Sequence, residues 1–211
     1  MQKTATLTAY RKNLREKILQ TSMEEFKKHG IKAVKMDDIA NLLSISKRTL
    51  YEIYANKEQL LLEGVKAFEG RYDSYMEQFA DDPEHNVIDI FIEFYNKQIE
   101  LFSNVKLEYM LEVDRYPLVV EYVEKRHAER RAYSMQYFRR GEREGYFRSD
   151  VDFVLVEEVC TMAMERVMQE GLYKKYDVRH ILHTIVLLFI RGICTKEGIE
   201  RLDAMLFDVK T

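Results

Sequence analysis

An all-α fold is what the sequence predicts, and three observations predict it. Only two prolines and eight glycines interrupt 211 residues. Apolar residues recur three and four apart through long stretches, the spacing that lines one face of a helix. Glycine, serine, aspartate and asparagine fall where those stretches start or stop, as helix caps do. With 46% apolar and 33% charged residues, the chain can bury a real core and solvate the remainder.

The first helix is expected over residues 13–29, where Leu14, Ile18, Ser22 and Phe26 are spaced by four and Gly30 is the stop. A shorter one follows over 36–43, with Ile39, Ala40 and Leu43 inward and Asp37 and Asp38 at the positive end of its dipole. After "SIS" a third helix covers 47–55, with Ser46 as N-cap, and Asn56 caps a fourth over 57–79. Packed through Ile18, Phe26, Ile39, Leu43, Ile45, Leu50 and Tyr54, the first three make a compact unit ending in a helix-turn-helix. Longer helices are expected over 84–103, 105–115, 117–140, 151–171 and 178–196, with a short one to 208; Pro83 and Pro117 suit first turns. "GEREGYFRSD" (141–150) reads as a break with glycine at both ends of a turn, and Ser149 or Asp150 caps the helix after it. The domains expected are 1–56 and 57–211, joined by the fourth helix.

Several classes are disfavoured at once. No stretch reaches the roughly 18 continuous apolar residues of a membrane span, and "ILHTIVLLFI" is interrupted by His183 and Thr184. The first residues lack an apolar signal core, so export is not expected. Cys160 and Cys194 make no disulfide framework and suit a reducing cytoplasm. The net charge of −3 hides an asymmetry: residues 1–60 carry 12 Lys/Arg against 7 Asp/Glu, and the rest 21 against 29. A basic head on an acidic body points to a polyanion as the head's partner.

The stretch "SKRTLYEIYANKEQLL" (46–61) carries the sharpest signal. A helix that enters the major groove needs basic or short polar residues at its N-terminal end and an apolar face behind. Leu50 and Tyr54 supply the inner face, leaving Lys47, Arg48, Thr49, Tyr51 and Glu52 outside. Lysine and arginine neutralise phosphates or bond guanine, threonine reaches a phosphate oxygen, and tyrosine bonds phosphate or packs on a thymine methyl.

From residue 14 to 63 the chain closely resembles the DNA-binding domain of the TetR (tetracycline repressor) family. The matching elements are Ile18, Phe26 and Gly30, the Asp-Ile-Ala of the second helix, Ser46 with Thr49-Leu50-Tyr51, Tyr54 in the usual phenylalanine position, and Lys57-Glu58 with Leu60. "EGYFRSDVD" (144–152) also resembles the turn before that family's dimerisation helices. Two departures stand out: Ser44 replaces the glycine that opens the turn, and Lys35 replaces the Ser or Thr before the second helix. A left-handed serine costs up to roughly 1 kcal/mol relative to glycine. Lys35 loses a cap but puts a cation where the family touches a phosphate. The resemblance implies a homodimeric regulator, expected to be a repressor and not an enzyme, that contacts operator DNA through Lys35, Ser46, Lys47, Arg48, Thr49, Tyr51 and Lys57.

The body, residues 61–211, holds 11 of 14 tyrosines, 10 of 11 phenylalanines and 7 of 10 methionines. Core packing explains most of them. The resemblance also implies an apolar cavity for a small amphipathic effector, for which Tyr72, Tyr75, Phe94, Tyr95, Tyr109, Met110, Tyr133, Tyr137 and Met162 are candidate lining residues. Val156, Cys160, Ala163 and Val167 form one apolar stripe, and Ile181, Ile185, Leu188 and Gly192 another, with Phe189 beside it. Arcs so wide bury two faces, one within the protomer and one against a second copy.

Three rival readings fit parts of the sequence. A helical-bundle metalloenzyme would need paired Glu-x-x-His motifs, of which only Glu124/His127 and the weaker Asp177/His180 occur, with His183 one turn on. A redox sensor at Cys160 or Cys194 would need a thiol outside apolar surroundings. The third is a relative that binds DNA without an effector. No cofactor, metal or membrane is expected.

Overall fold

A computed structural model describes the backbone of residues 2–208 and the side chains of 9–130 and 133–206. Among these residues there are ten α-helices: α1 (Gln2–His29), α2 (Met36–Leu42), α3 (Lys47–Ile53), α4 (Lys57–Asp81), α5 (Val87–Ser103), α6 (Leu107–Val113), α7 (Pro117–Arg143), α8 (Phe153–Gln169), α9 (Val178–Ile193) and α10 (Lys196–Asp208). A 3-10 turn at Leu172–Lys174 precedes α9. No helix is long and apolar enough to cross a membrane among the described residues.

The chain forms two compact units. The first comprises Met1–Asp73 and Asn104–Arg126, and the second Ser74–Ser103 and His127–Thr211. α4 and α7 therefore each contribute to both. This division by packing is a different partition from the functional one expected at 56/57.

In the first unit Ile18, Phe26, Ile31, Ile39, Leu50, Tyr54, Leu60 and Leu61 are fully buried together. Burying each such side chain contributes about 1.5–3 kcal/mol. Val119 from α7 enters the same core, and Tyr109, Val113 and Tyr116 pack against it. The head's core is thus completed by the start of α4 and by residues 109–119 far along the chain, which local periodicity does not reveal. Gly30 ends α1 with φ of 86°, its N–H returning to the Phe26 carbonyl at 2.9 Å. Asn56 caps α4 by accepting from the Gln59 N–H at 2.8 Å.

The second unit gathers Val87, Ile88, Phe91, Phe147, Phe153, Ile193 and Leu202 around α5, α9 and α10. Arg140 holds the α4–α5 connection by donating to the carbonyls of Ala80 and His85 while pairing with Glu144. Asp89, almost wholly buried, pairs with Arg201 at 2.9 Å and also accepts from the Asn86 N–H.

Several boundaries differ from expectation, four of them for reasons the structure shows. α1 starts eleven residues early, because nothing in residues 2–12 breaks a helix although no apolar stripe marks one. α5 starts at Val87, since Asn86 accepts from the Ile88 and Asp89 N–H groups and Asp89 caps it in return. Neither Ser149 nor Asp150 caps α8: Asp152 does, accepting from the Leu155 N–H at 3.1 Å. Gly141 lies inside α7, where a Cβ would sit 2.0 Å from the Phe147 ring, so it serves close packing. The turn itself begins at Glu144 and uses Gly145, whose φ is 81°.

Candidate nucleic-acid interface

The site is built on α2, the turn after it, and α3. Ser44 occupies the left-handed region with φ of 52°, so the turn has the conformation that glycine adopts freely. Lys35 precedes α2 and is exposed; its ammonium caps nothing, and the Asp38 carboxylate accepts from the Lys35 N–H at 2.8 Å instead. Ser46 Oγ accepts from the Thr49 N–H at 3.0 Å, the expected N-cap, and lies 2.8 Å from Thr49 Oγ1.

Behind α3, Leu50 and Tyr54 are wholly buried. The Tyr54 hydroxyl donates to the Arg15 carbonyl, and the Arg15 guanidinium lies 5.0 Å from the ring centroid. Burial, with the Glu63 carboxylate second, pushes the Tyr54 phenol up to about 12. α3 is thereby anchored by its inner face to α1.

On the outer face Lys47, Arg48 and Tyr51 are exposed, Tyr51 to 48%. Both cations carry internal counterions. Lys47 Nζ lies 2.5 Å from Asp37 and Arg48 Nε 2.9 Å from Glu52, and hydrogen bonding to those carboxylates raises both pKa values. Exposed pairs of this kind are screened by water and hold weakly, so a phosphate can displace the carboxylate. Lys57 differs. It is half-buried, and its Nζ donates to the carbonyls of Ile31 and Val34 at 2.8 Å each. Desolvation by burial lowers its pKa. Two of three ammonium protons thus brace the α1–α2 connection, a role the sequence does not suggest.

Residues 18–63 match the family model described as bacterial regulatory proteins, tetR family. Over 152 residues the chain is 26% identical to the HTH-type transcriptional repressor KstR2 of Mycolicibacterium smegmatis, spanning 67% of this chain and 71% of that protein. Residues 18–63 thus carry the helix-turn-helix domain of the tetR regulators. The chain is accordingly a DNA-binding transcriptional regulator. Solved structures share the fold. The ketosteroid transcriptional regulator KstR2 of Mycobacterium tuberculosis aligns with a TM-score of 0.57 at 21% identity, covering 86% of this chain and 95% of that one. A putative regulator from Saccharomonospora viridis in complex with choline aligns with a TM-score of 0.68 at 18% identity, covering 88% and 100%.

In this chain the candidate effector residues are spread over both units. Tyr72, stacked on Phe68, belongs to the first unit with Tyr109 and Met110. Burial pushes the Tyr109 phenol up to about 12, with Glu69 adding to it. In the second unit Tyr95 is buried, its hydroxyl 2.5 Å from His183 Nδ1. Tyr137 donates to the Val87 carbonyl at 2.9 Å. Tyr75 donates to Glu93 at 2.7 Å and, like Phe94, is partly exposed. Tyr133 and Met162 are 65% and 57% exposed within one protomer.

The residues of the two expected interface stripes differ in exposure within one protomer. Ile181 is buried within its own unit, and Val156 packs against that core. Cys160, Ala163, Val167, Ile185 and Phe189 are half-buried, whereas Leu188 is 70% exposed and Gly192 lies open. On α8 the outward residues are Leu155, Val159 and Met162, one position before the expected stripe. A wide apolar arc has the same period in either register, so periodicity did not separate them.

The residues of the rival readings have other partners. His183 meets Tyr95, and Asp177 caps α9 through the Arg179 N–H at 2.8 Å. Among the described residues no three His, Cys, Asp or Glu side chains converge. Burial raises the Cys160 thiol, and pushes Cys194 up to about 11, which keeps both protonated.

Proposed function

We propose that the chain is a homodimeric repressor that binds a two-fold operator through α3 and is released by a small apolar or amphipathic effector. The observation that carries the DNA contact is the division of α3 into a wholly buried inner face and an outer face of Lys47, Arg48, Thr49 and Tyr51 behind a Ser46 cap. Repression is supported by the relatives named KstR2, which are transcriptional repressors. An effector is supported by a solved neighbour holding choline, and Tyr95 with His183 supplies a polar group beside the aromatic core of the second unit. Residues 1–56 then read DNA, and 57–211 sense and dimerise, in the cytoplasm where operators lie.

The dimer contact is the outward face of α8 and α9: Leu155, Val159, Met162, Leu188 and the open Gly192. Four exposed large apolar residues on two packed helices form a patch that water solvates poorly. A second copy is its occupant because two-fold symmetry sets recognition helices one turn of DNA apart, about 34–36 Å. The test is selection from a random duplex pool. Retained sequences should carry an inverted repeat, and a pool without any enriched sequence would sink the reading.

A further inference from the structure

The head's excess positive charge does not reside in its helix-turn-helix. Residues 1–15 hold four Lys/Arg (Lys3, Arg11, Lys12 and Arg15) and no Asp or Glu. Residues 16–60 hold eight Lys/Arg against seven Asp/Glu, and are nearly neutral. On α3 itself, Lys47 and Arg48 face Asp37 and Glu52. The globular head is thus a weak polycation, and its first residues are a strong one.

Those residues continue α1 outward. The helix is anchored from Leu14 onward, and Ala9 to Asn13 are exposed, more than a full turn without packing. The overhang starts beside the recognition element, since Arg15 lies over Tyr54, the C-cap of α3. The opposite end of α1 meets the start of α6, where the Lys106 N–H donates to the Lys27 carbonyl at 2.9 Å. Residues 2–13 therefore extend about 18 Å past the end of the head that carries α3, at 1.5 Å per residue.

We propose that residues 2–13 are a basic helical arm that binds the sugar–phosphate backbone flanking the groove entered by α3. The ligand is duplex DNA, recognised by charge and not by sequence, and the proposal rests on the DNA-binding reading above. Lys3, Arg11 and Lys12 neutralise phosphates, and an arm free of carboxylates has no internal counterion to displace first.

The test uses the full chain and a labelled mixed-sequence duplex of roughly 30 base pairs, titrated by fluorescence anisotropy between about 50 and 200 mM salt. The variant is Lys3→Ala/Arg11→Ala/Lys12→Ala, which keeps good helix formers. A control, Lys174→Ala/Lys175→Ala/Lys196→Ala, removes the same charge from the second unit. The arm variant should lose about 0.9 from the salt slope per contact removed, with affinity near 0.15 M falling about fivefold for each. The control slope should stay at the unaltered value. An unchanged slope in the arm variant, or an equal fall in both variants, overturns the arm alone. Absence of salt-dependent binding by the unaltered chain overturns the DNA-binding reading and the arm with it.

Discussion

α3 and α9 are both helices with one face packed inward, and they differ in what the other face offers. α3 turns Lys47, Arg48 and Tyr51 outward over a wholly buried Leu50 and Tyr54. α9 turns Leu188 outward over a buried Ile181 and Ile190. A polar outer face fixes the register of a helix in its sequence, because only one rotation buries the apolar residues. An apolar outer face does not, because neighbouring rotations bury nearly equal apolar area.

The largest effect that would test this contrast is at Leu188. Leu188→Asp places a charge on the proposed contact and should weaken self-association by two orders of magnitude or so, in the range of interface hot spots. Mass in solution by light scattering would report it. A variant that stays dimeric at micromolar concentration would move the partner surface elsewhere. The opposite substitution, Val156→Ala, should leave mass unchanged and cost stability, since that side chain packs inward.

Tyr54→Ala comes next. It removes a wholly buried ring, and large aromatic truncations cost about 3–5 kcal/mol. Denaturant unfolding should show the loss, and a stability within 1 kcal/mol of the unaltered chain, about a fivefold change in equilibrium constant, would mean that the inner face is misassigned. Lys57→Met should cost about 1–3 kcal/mol by stranding the Ile31 and Val34 carbonyls. If it instead weakened DNA binding with no change in melting, Lys57 would be a phosphate contact first.

The smallest effects are at turns and caps. Ser44→Gly should stabilise by up to roughly 1 kcal/mol, because serine at φ of 52° is strained. Asp177→Ala should lose about 1 kcal/mol from the α9 cap. The Arg179 side chain, then its N–H, holds the Asp177 carboxyl at about 2, below its usual 3.8. A depressed carboxyl adds stability that is present above pH 4 and lost as pH falls toward 2. A titration of unfolding in that window should find the loss in the unaltered chain and not in Asp177→Ala.

Much of the head was legible because its signals are local. Gly30, Ser46 and Asn56 mark the ends of helices, and Leu50 and Tyr54 are four residues apart. What was hidden was either distant or degenerate. Val119 completes the head's core from α7, and Asp37 and Glu52 partner Lys47 and Arg48 only once the helices are folded. Lys57 read as a surface cation because its two carbonyl acceptors lie more than 20 residues upstream. On α8 the outward stripe lay one residue from the expected one. Among the pocket candidates, Tyr133 and Met162 are exposed within one protomer, which composition alone does not reveal.

The central claim is that the outer face of α3 reads DNA, and Tyr51 tests it most directly. Tyr51→Ala should leave melting and helicity unchanged, because the ring is half-exposed and buries nothing in the core. Its affinity for a duplex selected by the unaltered chain should fall by about 1–3 kcal/mol, roughly five- to 150-fold, the worth of a good base contact. A fall of that size at constant melting temperature is the predicted result. Undiminished affinity for the selected duplex, or a loss explained by unfolding, would contradict the account.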